Sequence, residues 1–199
     1  YMADLTGGQK TGLFFDQRPN HAFVSQFARN SSVLDVFSHV GGFALAALAA
    51  GAKEALAVDG SQAALDLAQA GAEQTGVAAQ FKTLKSDAFA VLTSLGEEGA
   101  RFEVVVCDPP AFAPNKSALD AGLRAYEKVA RLSCAEVGAP GGRRNCCIQA
   151  LLALIIRCMP RSPRVAISKH LRSASHESAN RCLRAVSDAF ARSCALACR

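Results

Sequence analysis

Residues 33–52 read VLDVFSHVGGFALAALAAGA, and this stretch decides the fold. A short apolar run rich in valine precedes paired glycines, and a run of small apolar residues follows them. The first part predicts a β-strand over residues 31–37, and the second predicts a helix over residues 41–52. A strand that passes through a glycine turn directly into a helix is the first half of a βαβ unit.

The same alternation repeats along the chain. Further strands are predicted over 53–59, 79–87 and 101–108, and further helices over 61–76 and 88–99. Strands that alternate with helices at this spacing favour a parallel sheet, because each helix carries the chain back to start the next strand. We therefore expect an α/β fold with a doubly wound, largely parallel sheet and helices on both faces.

The segment ahead of this core has a different pattern. Two short alternating runs flank GGQKTG within residues 2–20 and predict a β-hairpin, and QRPNHAFVSQFA predicts a helix over 17–28. The expected organisation is a hairpin with its linking helix over 1–30, a ligand-binding core over 31–142 and a basic C-terminal segment over 143–199.

The composition is that of one domain with a core of ordinary size, since half of the 199 residues are apolar. No apolar run approaches the ~20 residues that a membrane span needs, and the N-terminus lacks a signal pattern. We expect a soluble cytoplasmic protein with no membrane partner. The oligomeric state is left open.

The net charge of +5 conceals two different compositions. Residues 1–142 hold 11 Lys and Arg against 15 Asp and Glu, whereas residues 143–199 hold 11 against 2, with six of the eight cysteines. A basic segment suits nucleic acid. The cysteines form no C-x-x-C pair, so no metal site is expected.

An acidic residue ends or follows each predicted strand. The four are Asp35, Asp59, Asp87 and Asp108. Ligands of doubly wound sheets bind beyond the carboxyl ends of the strands, and this acidic row favours a ligand with a positive charge of its own. The dinucleotide and triphosphate fingerprints are absent. Asp59 is placed to accept hydrogen bonds from two ribose hydroxyls, and Asp87 with the Ala88 amide to bind an adenine edge.

The last predicted strand ends in VVVCDPPAFAP, residues 104–114. Pro109 and Pro110 have no N–H to donate, so the strand stops at once and leaves Asp108 at the edge of the sheet.

Together these motifs resemble a known family. VLDVFSHVGGFALAALAAGA, AVDGSQAALDLAQAGA, SDAFAVL, FEVVVCDPPAFA and APGG are similar to the class I S-adenosylmethionine-dependent methyltransferases, which have a Rossmann-like fold. With GGQKTGLFFDQRPN in front, residues 1–142 resemble the bacterial large-subunit ribosomal RNA cytosine-5 methyltransferases. Complete members also carry an N-terminal PUA RNA-binding domain. This chain has no room for it, so the resemblance implies a fragment.

The resemblance implies S-adenosylmethionine as cofactor and RNA, ribosomal in this family, as partner. It assigns the methionine end of the cofactor to Asp35, Phe37, Ser38, Gly41 and Gly42, and the ribose side to Asp59 and Ser61. The adenine falls to Asp87 and Ala88. The hairpin motif implies that Lys10, Thr11, Gln17 and Arg18 close the cofactor site.

The resemblance also implies the chemistry. Asp108 would lie where the base meets the methyl group, and Pro109, Pro110 and Phe112 would shape the base pocket. Amino-group methyltransferases place an aromatic residue directly after the second proline, where this chain has Ala111, which favours methylation of a ring carbon. That reaction needs a cysteine thiolate, and Cys146 and Cys147 fall near the expected distance.

Two alternatives stay open for the function and two for the C-terminal segment. The chain could bind the cofactor without catalysis, because the family's Cys-Ser-Cys-Ser-His-like segment is missing, or it could methylate an amino group. From Arg143 onward the family pattern ends. Residues 143–199 are either a stretch read out of frame or a native basic arm that binds RNA, and the sequence leaves open whether they complete the sheet.

Overall fold

The structure, a computed structural model, describes residues 2, 17–112, 116–135 and 146–148. The described residues contain five strands in one sheet. They are β1 (Ser32–Val36), β2 (Glu54–Asp59), β3 (Phe81–Lys85), β4 (Val104–Cys107) and β5 (Cys146–Ile148). The first four match strands predicted from the sequence, and β5 lies within the basic segment.

Among the described residues, five α-helices accompany the sheet. They are α1 (Arg18–Ser25), α2 (Gly42–Ala49), α3 (Gln62–Gln74), α4 (Ala88–Glu97) and α5 (Leu119–Ala135). The sequence analysis predicts the first four and misses α5. Its pattern was readable, because Gly122, Tyr126, Val129 and Ser133 recur at helical spacing and all are at least half-buried.

The strand order is β3-β2-β1-β4-β5, and every neighbouring pair is parallel. The chain moves outward from β1 to β3 and then crosses back to place β4 on the other side of β1. The order therefore reverses between β1 and β4, and their carboxyl ends flank the crevice where doubly wound sheets bind ligands. The predicted doubly wound parallel sheet is confirmed.

Side chains alternate between the two faces of the sheet. Val33 of β1 and Val104 of β4 belong to a core shared with helices α1, α2 and α3. Leu34 and Val105 belong to a second core shared with α4 and α5. Strands β1 and β4 are covered on both faces, which explains why β4 reads as a continuous apolar run, whereas three of the five residues of β3 are exposed.

Residues 1–16 lie outside the described residues, except for residue 2, so the predicted hairpin with Lys10 and Thr11 is not described. The proposed boundaries near residues 30 and 142 stay predictions. Within the described residues, no helix is long and apolar enough to cross a membrane.

Gly41 is the point at which the glycine turn meets the core. It lies at φ +71°, and a β-carbon there would approach the Ala68 Cβ to 3.1 Å and the Phe81 Cζ to 3.3 Å. Both the backbone conformation and the tight fit against α3 and β3 therefore require glycine.

We expect Gly41→Ala to lower the free energy of unfolding by about 1–3 kcal/mol, through the left-handed backbone and the crowding together. Gly60→Ala is the matched control, because a β-carbon at Gly60 would meet nothing within 4 Å and its φ is not positive. Urea unfolding of both variants measures the difference. Equal stabilities would contradict the close packing at Gly41.

Candidate functional site

Three helices begin at the carboxyl edge of the sheet, and each receives an oxygen from the chain. The Ala64 N–H of α3 donates to Ser61 Oγ at 3.3 Å, and the Ala90 N–H of α4 donates to Asp87 Oδ1 at 3.0 Å. These are ordinary N-caps from the residue just before the helix. The N-cap of α2 is Gly41, which has no side chain to offer.

Asp35 supplies the missing cap of α2 from inside the sheet. Its Oδ2 accepts a hydrogen bond from the Ala44 N–H at 3.0 Å, and its side chain is 0% exposed. The sequence analysis places Asp35 at the end of the strand. In the structure it is the fourth of the five residues of β1, because the strand continues through Val36. Its side chain points to the face of the sheet that α2 covers.

Burial changes the acidity of Asp35. Loss of hydration raises the pKa of its carboxyl to about 7, the Ala44 hydrogen bond opposes that rise, and the negative charges of Asp108 and Asp59 add to it. Three of the four predicted acids thus act on one another across the crevice. A cationic ligand at this edge would relieve the repulsion among them.

Asp59 organises the loop that follows β1. Its Oδ2 accepts from the His39 N–H and its Oδ1 from the Ser61 N–H, both at 2.8 Å. Phe37 and His39 lie at φ +63° and +50°, a left-handed conformation that few non-glycine residues adopt. Each carboxylate oxygen of Asp59 keeps a lone pair for a further donor.

Gly42 lies under a side chain that the sequence analysis missed. A β-carbon at Gly42 would come within 2.8 Å of His21 Cε1, and the His21 ring meets the Phe43 ring edge-on with centroids 4.4 Å apart. The sequence analysis expects this glycine to contact the cofactor. In the structure the space beside it holds the imidazole of α1, so packing against His21 explains the glycine.

Asp108 meets a side chain from the other end of the described core. It follows β4 directly, and its Oδ2 accepts from Gln17 Nε2 at 3.0 Å, across 91 residues of sequence. Gln17 Oε1 in turn accepts from Asn20 Nδ2 at 2.6 Å. Asn20 therefore fixes the Gln17 amide so that its N–H group faces Asp108, and two residues predicted for the site, Gln17 and Asp108, are in contact.

The loop after Asp108 packs into an aromatic cluster. The Phe112 ring lies 4.8 Å from Tyr126, 5.9 Å from Phe89 and 6.1 Å from Phe37, measured between centroids. Pro109 is buried, whereas Pro110 and Ala111 are exposed. Phe112 is thus half-buried by other rings, so its predicted contact with a substrate base is not shown, whereas Pro110 and Ala111, directly before it, are exposed.

The remaining predicted residues lie apart from this cluster. Arg18 is exposed at the start of α1. Cys146 and Cys147 lie in β5 beside Val104 and Val105. At ~3.3 Å per residue, these positions are about 13 and 10 Å before Asp108 along the strand direction. The register therefore counts against the predicted role of both cysteines as nucleophiles at the carboxyl edge.

Sequence reasoning missed His21, Asn20 and Tyr126. Asn20 is exposed on α1, and no pattern in the sequence marks it. His21 lies three residues before the buried Val24, so helical spacing would have placed it on the buried side of α1. Tyr126 belongs to α5, and the helical spacing that identifies α5 would have turned it toward the sheet.

The cofactor implied by the resemblance can be tested against two buried oxygens. Asp35 Oδ1 and Ser38 Oγ have no hydrogen-bond partner among the described residues. Buried polar atoms are nearly always paired, so unpaired ones beside a crevice suit a ligand that brings donors. S-adenosylmethionine carries an ammonium group, hydroxyls and a sulfonium charge, and it fits this acidic edge. Within the described residues, no group of three His, Cys, Asp or Glu has the arrangement of a metal site.

Comparison with known proteins identifies a family and several relatives. The family described as "Conserved hypothetical protein 95" matches residues 18–132, more than half of the chain. Among curated proteins, Ribosomal RNA large subunit methyltransferase I of Aeromonas salmonicida is 40% identical over 142 residues, which are 71% of this chain and 36% of the relative. The protein of the same name from Vibrio cholerae is also 40% identical over 142 residues, 70% of this chain and 36% of its own.

A solved structure shares the fold. SMU.776, described as a methyltransferase and crystallised with SAH, superposes with a TM-score of 0.60 at 26% identity, over 69% of this chain and 36% of its own. The chain thus spans about a third of the length of the curated relatives it matches.

The raised pKa of Asp35 predicts a pH-dependent stability. Between its ordinary value of 3.8 and about 7, the folded state keeps a proton that the unfolded chain releases, so the free energy of unfolding falls as pH rises and levels off above pH 7. Asp35→Asn keeps an oxygen for the Ala44 N–H but has no proton to lose. We expect its stability relative to the wild type to increase by roughly 2–4 kcal/mol between pH 4 and pH 8.

Urea unfolding at a series of pH values measures this difference. Asp66→Asn is the matched control, because Asp66 is exposed on α3 and its substitution retains the acceptor used by Gln62. A constant stability difference between Asp35→Asn and the wild type across the pH series would rule out the raised pKa of the Asp35 carboxyl.

Proposed function

Because the chain belongs to the family described as "Conserved hypothetical protein 95", we propose that it is an S-adenosylmethionine-dependent methyltransferase acting on ribosomal RNA in the cytoplasm. The observation that carries the proposal is the acidic edge at the switch point, where Asp35, Asp59 and Asp108 interact across the ends of β1, β2 and β4. The names of the curated relatives support ribosomal RNA as the substrate, and the SAH bound to SMU.776 supports the cofactor.

The cofactor would lie along the edge from β1 to β3. Asp59 would accept the ribose hydroxyls with the lone pairs that His39 and Ser61 leave available. The unpaired oxygens of Asp35 and Ser38 would receive donors of the methionine end. Asp87 and Ala88, at the start of α4, would hold the adenine. When bound, S-adenosylmethionine supplies an electrophilic methyl group on a sulfonium centre.

Asp108 would act on the substrate. Gln17 donates a hydrogen bond to its Oδ2, so the side chain of Asp108 is oriented by a neutral donor. Its other oxygen, when it carries a proton, would donate a hydrogen bond to N3 of a pyrimidine ring and stabilise the negative charge that develops there, as preorganised groups do in enzyme sites. Pro109 and Pro110 would hold the loop that borders the base.

The finer proposal is that the methyl group goes to carbon 5 of a cytosine in large-subunit ribosomal RNA. The exposed Ala111 supports it over an amino-group target, since the aromatic Phe112 is one residue further on and packs against Phe37, Phe89 and Tyr126 instead of standing free to stack on a base.

A second candidate function is cofactor binding without methyl transfer. The register of β5 favours it, because Cys146 and Cys147 lie beside the middle of β4 and not beside Asp108. Carbon 5 of cytosine is a weak nucleophile and needs a thiolate at carbon 6, so the two candidates differ in whether any cysteine of the chain reaches the base.

The cofactor site predicts saturable binding of S-adenosylmethionine. We expect one site by calorimetric titration, and a dissociation constant about 10–100-fold higher for Asp59→Ala, because hydrogen bonds to a charged group are lost. Asp66→Ala removes an exposed acid from α3 and serves as the control. Circular dichroism verifies that each variant is folded. A folded wild-type chain with no heat of binding would refute the cofactor site.

The transfer step predicts a labelled product. The purified chain and tritiated S-adenosylmethionine are incubated with unmodified large-subunit ribosomal RNA transcribed in vitro, and the nucleosides are separated by mass spectrometry. We expect 5-methylcytosine, and a rate lowered about 10²–10³-fold by Asp108→Asn, because a preorganised acid is removed.

Three other outcomes distinguish the alternatives. Methylated amino groups on the bases would show that the target is an amino group and not carbon 5 of cytosine. Binding of the cofactor with no labelled RNA would favour the second candidate. Transfer that survives the replacement of both Cys146 and Cys147 by serine would remove them as nucleophiles, in agreement with the register of β5.

A further inference from the structure

Tyr126 contacts the backbone on both sides of Ala111. Its hydroxyl accepts a hydrogen bond from the Phe112 N–H at 3.0 Å and donates one to the Pro110 carbonyl at 3.3 Å. A phenol has one proton to donate and lone pairs to accept with, so both bonds form at once. The Tyr126 side chain of α5 thus closes a small hydrogen-bonded ring with residues 110–112.

The loop needs such a partner because of its two prolines. Neither Pro109 nor Pro110 has a backbone N–H, so the strand pairing that β4 makes with β1 ends at the Asp108 N–H, which donates to the Val36 carbonyl at 3.3 Å. Beyond that point the sheet cannot hold the chain. Tyr126 supplies the hydrogen bonds that position residues 110–112.

The tyrosine ring adds packing to the hydrogen bonds. It lies 4.8 Å from the Phe112 ring, which also meets Phe37 of the glycine loop and Phe89 of α4. Lys128, two residues beyond Tyr126, lies over the Phe89 ring at 5.2 Å from its centroid. The cluster therefore joins the loop after Asp108 to the loop after β1, from the side of α4 and α5.

We infer that Tyr126 is a positioning residue for the substrate base. It clamps residues 110–112 against α5 and thereby fixes Ala111 and Asp108 relative to the target ring. The inference rests on the proposed methyl transfer for its functional consequence. The clamp itself is a property of the free chain. Because its hydrogen bonds go to residues 110 and 112, which border the proposed base pocket, Tyr126 would affect the affinity for RNA and the rate of transfer and leave the affinity for the cofactor unchanged.

Tyr126→Phe tests the clamp, since it removes the hydroxyl and keeps the ring. The first measurement is amide hydrogen exchange by NMR on the ¹⁵N-labelled chain, which needs no substrate. We expect the Phe112 amide to exchange about tenfold faster in the variant, because its one described acceptor is lost. Thr93→Val is the matched control, as it removes a hydroxyl that bonds the Phe89 carbonyl at 2.8 Å on the exposed side of α4.

The second measurement is steady-state methyl transfer to ribosomal RNA beside calorimetric titration with S-adenosylmethionine. Tyr126→Phe loses both hydrogen bonds of the hydroxyl, so we expect kcat/KM for RNA to fall about tenfold and the cofactor dissociation constant to stay within about twofold. Thr93→Val should leave the Phe112 amide exchange, kcat/KM for RNA and the cofactor dissociation constant unchanged.

The two measurements separate the inference from the function on which it rests. Unchanged exchange at Phe112 overturns the clamp, whatever the enzyme does. An equal loss of cofactor affinity and of RNA turnover also overturns it, since Tyr126 would then act through general stability. A wild-type chain that transfers no methyl group, with Phe112 exchange still accelerated in the variant, overturns the proposed transfer and retains the clamp.

Discussion

The hydrogen bond from the Ala44 N–H to the buried carboxyl group of Asp35 joins the central strand, β1, to helix α2, which packs on it. Strand β1 is paired on both sides, and α2 lies across it with Gly41, Gly42 and Phe43 buried. Because the helix starts at a glycine, its first turn lacks a local cap, and the acid in the strand takes that place. The loop between them has Phe37 and His39 in the left-handed region, and Asp59 holds it through the His39 N–H.

A carboxyl group in this position is held at an energetic cost, which burial and the neighbouring acids both increase. The fold tolerates it because the group can keep its proton near neutral pH. Asp59 and Asp108 lie nearer to solvent and are ordered by donors from the chain, namely the amides of His39 and Ser61 and the side chain of Gln17. The edge of the sheet is thus prepared for a ligand that brings positive charge and hydrogen-bond donors.

The two sides of the crevice are built differently. On the side of α1 and α2, His21 fills the space above Gly42 and Gln17 reaches Asp108, so the first helix is part of the site's wall. On the side of α4 and α5, aromatic rings surround Phe112, and Tyr126 bonds the loop that the prolines release from the sheet. Polar contacts orient the acid, and apolar contacts hold the loop beside it.

The sequence by itself determined the alternation of β1 to β4 with α2 to α4 and the parallel sheet, whereas α5 and β5 were not predicted. Val104–Cys107 is a continuous apolar run because both faces of this parallel strand are covered, and such a run is local in the chain. Ser61 and Asp87 cap the helices that follow them within three residues, which is also local, although both were predicted only as cofactor contacts. The tertiary structure alone decided that Asp35 is buried under α2, that Gln17 meets Asp108 across 91 residues, and that Tyr126 holds Phe112. It also set the register of β5, which pairs Cys146 and Cys147 with Val104 and Val105 and so separates both cysteines from Asp108. These contacts depend on how helices cross the sheet and how distant strands align, and periodicity along the chain carries no information about either.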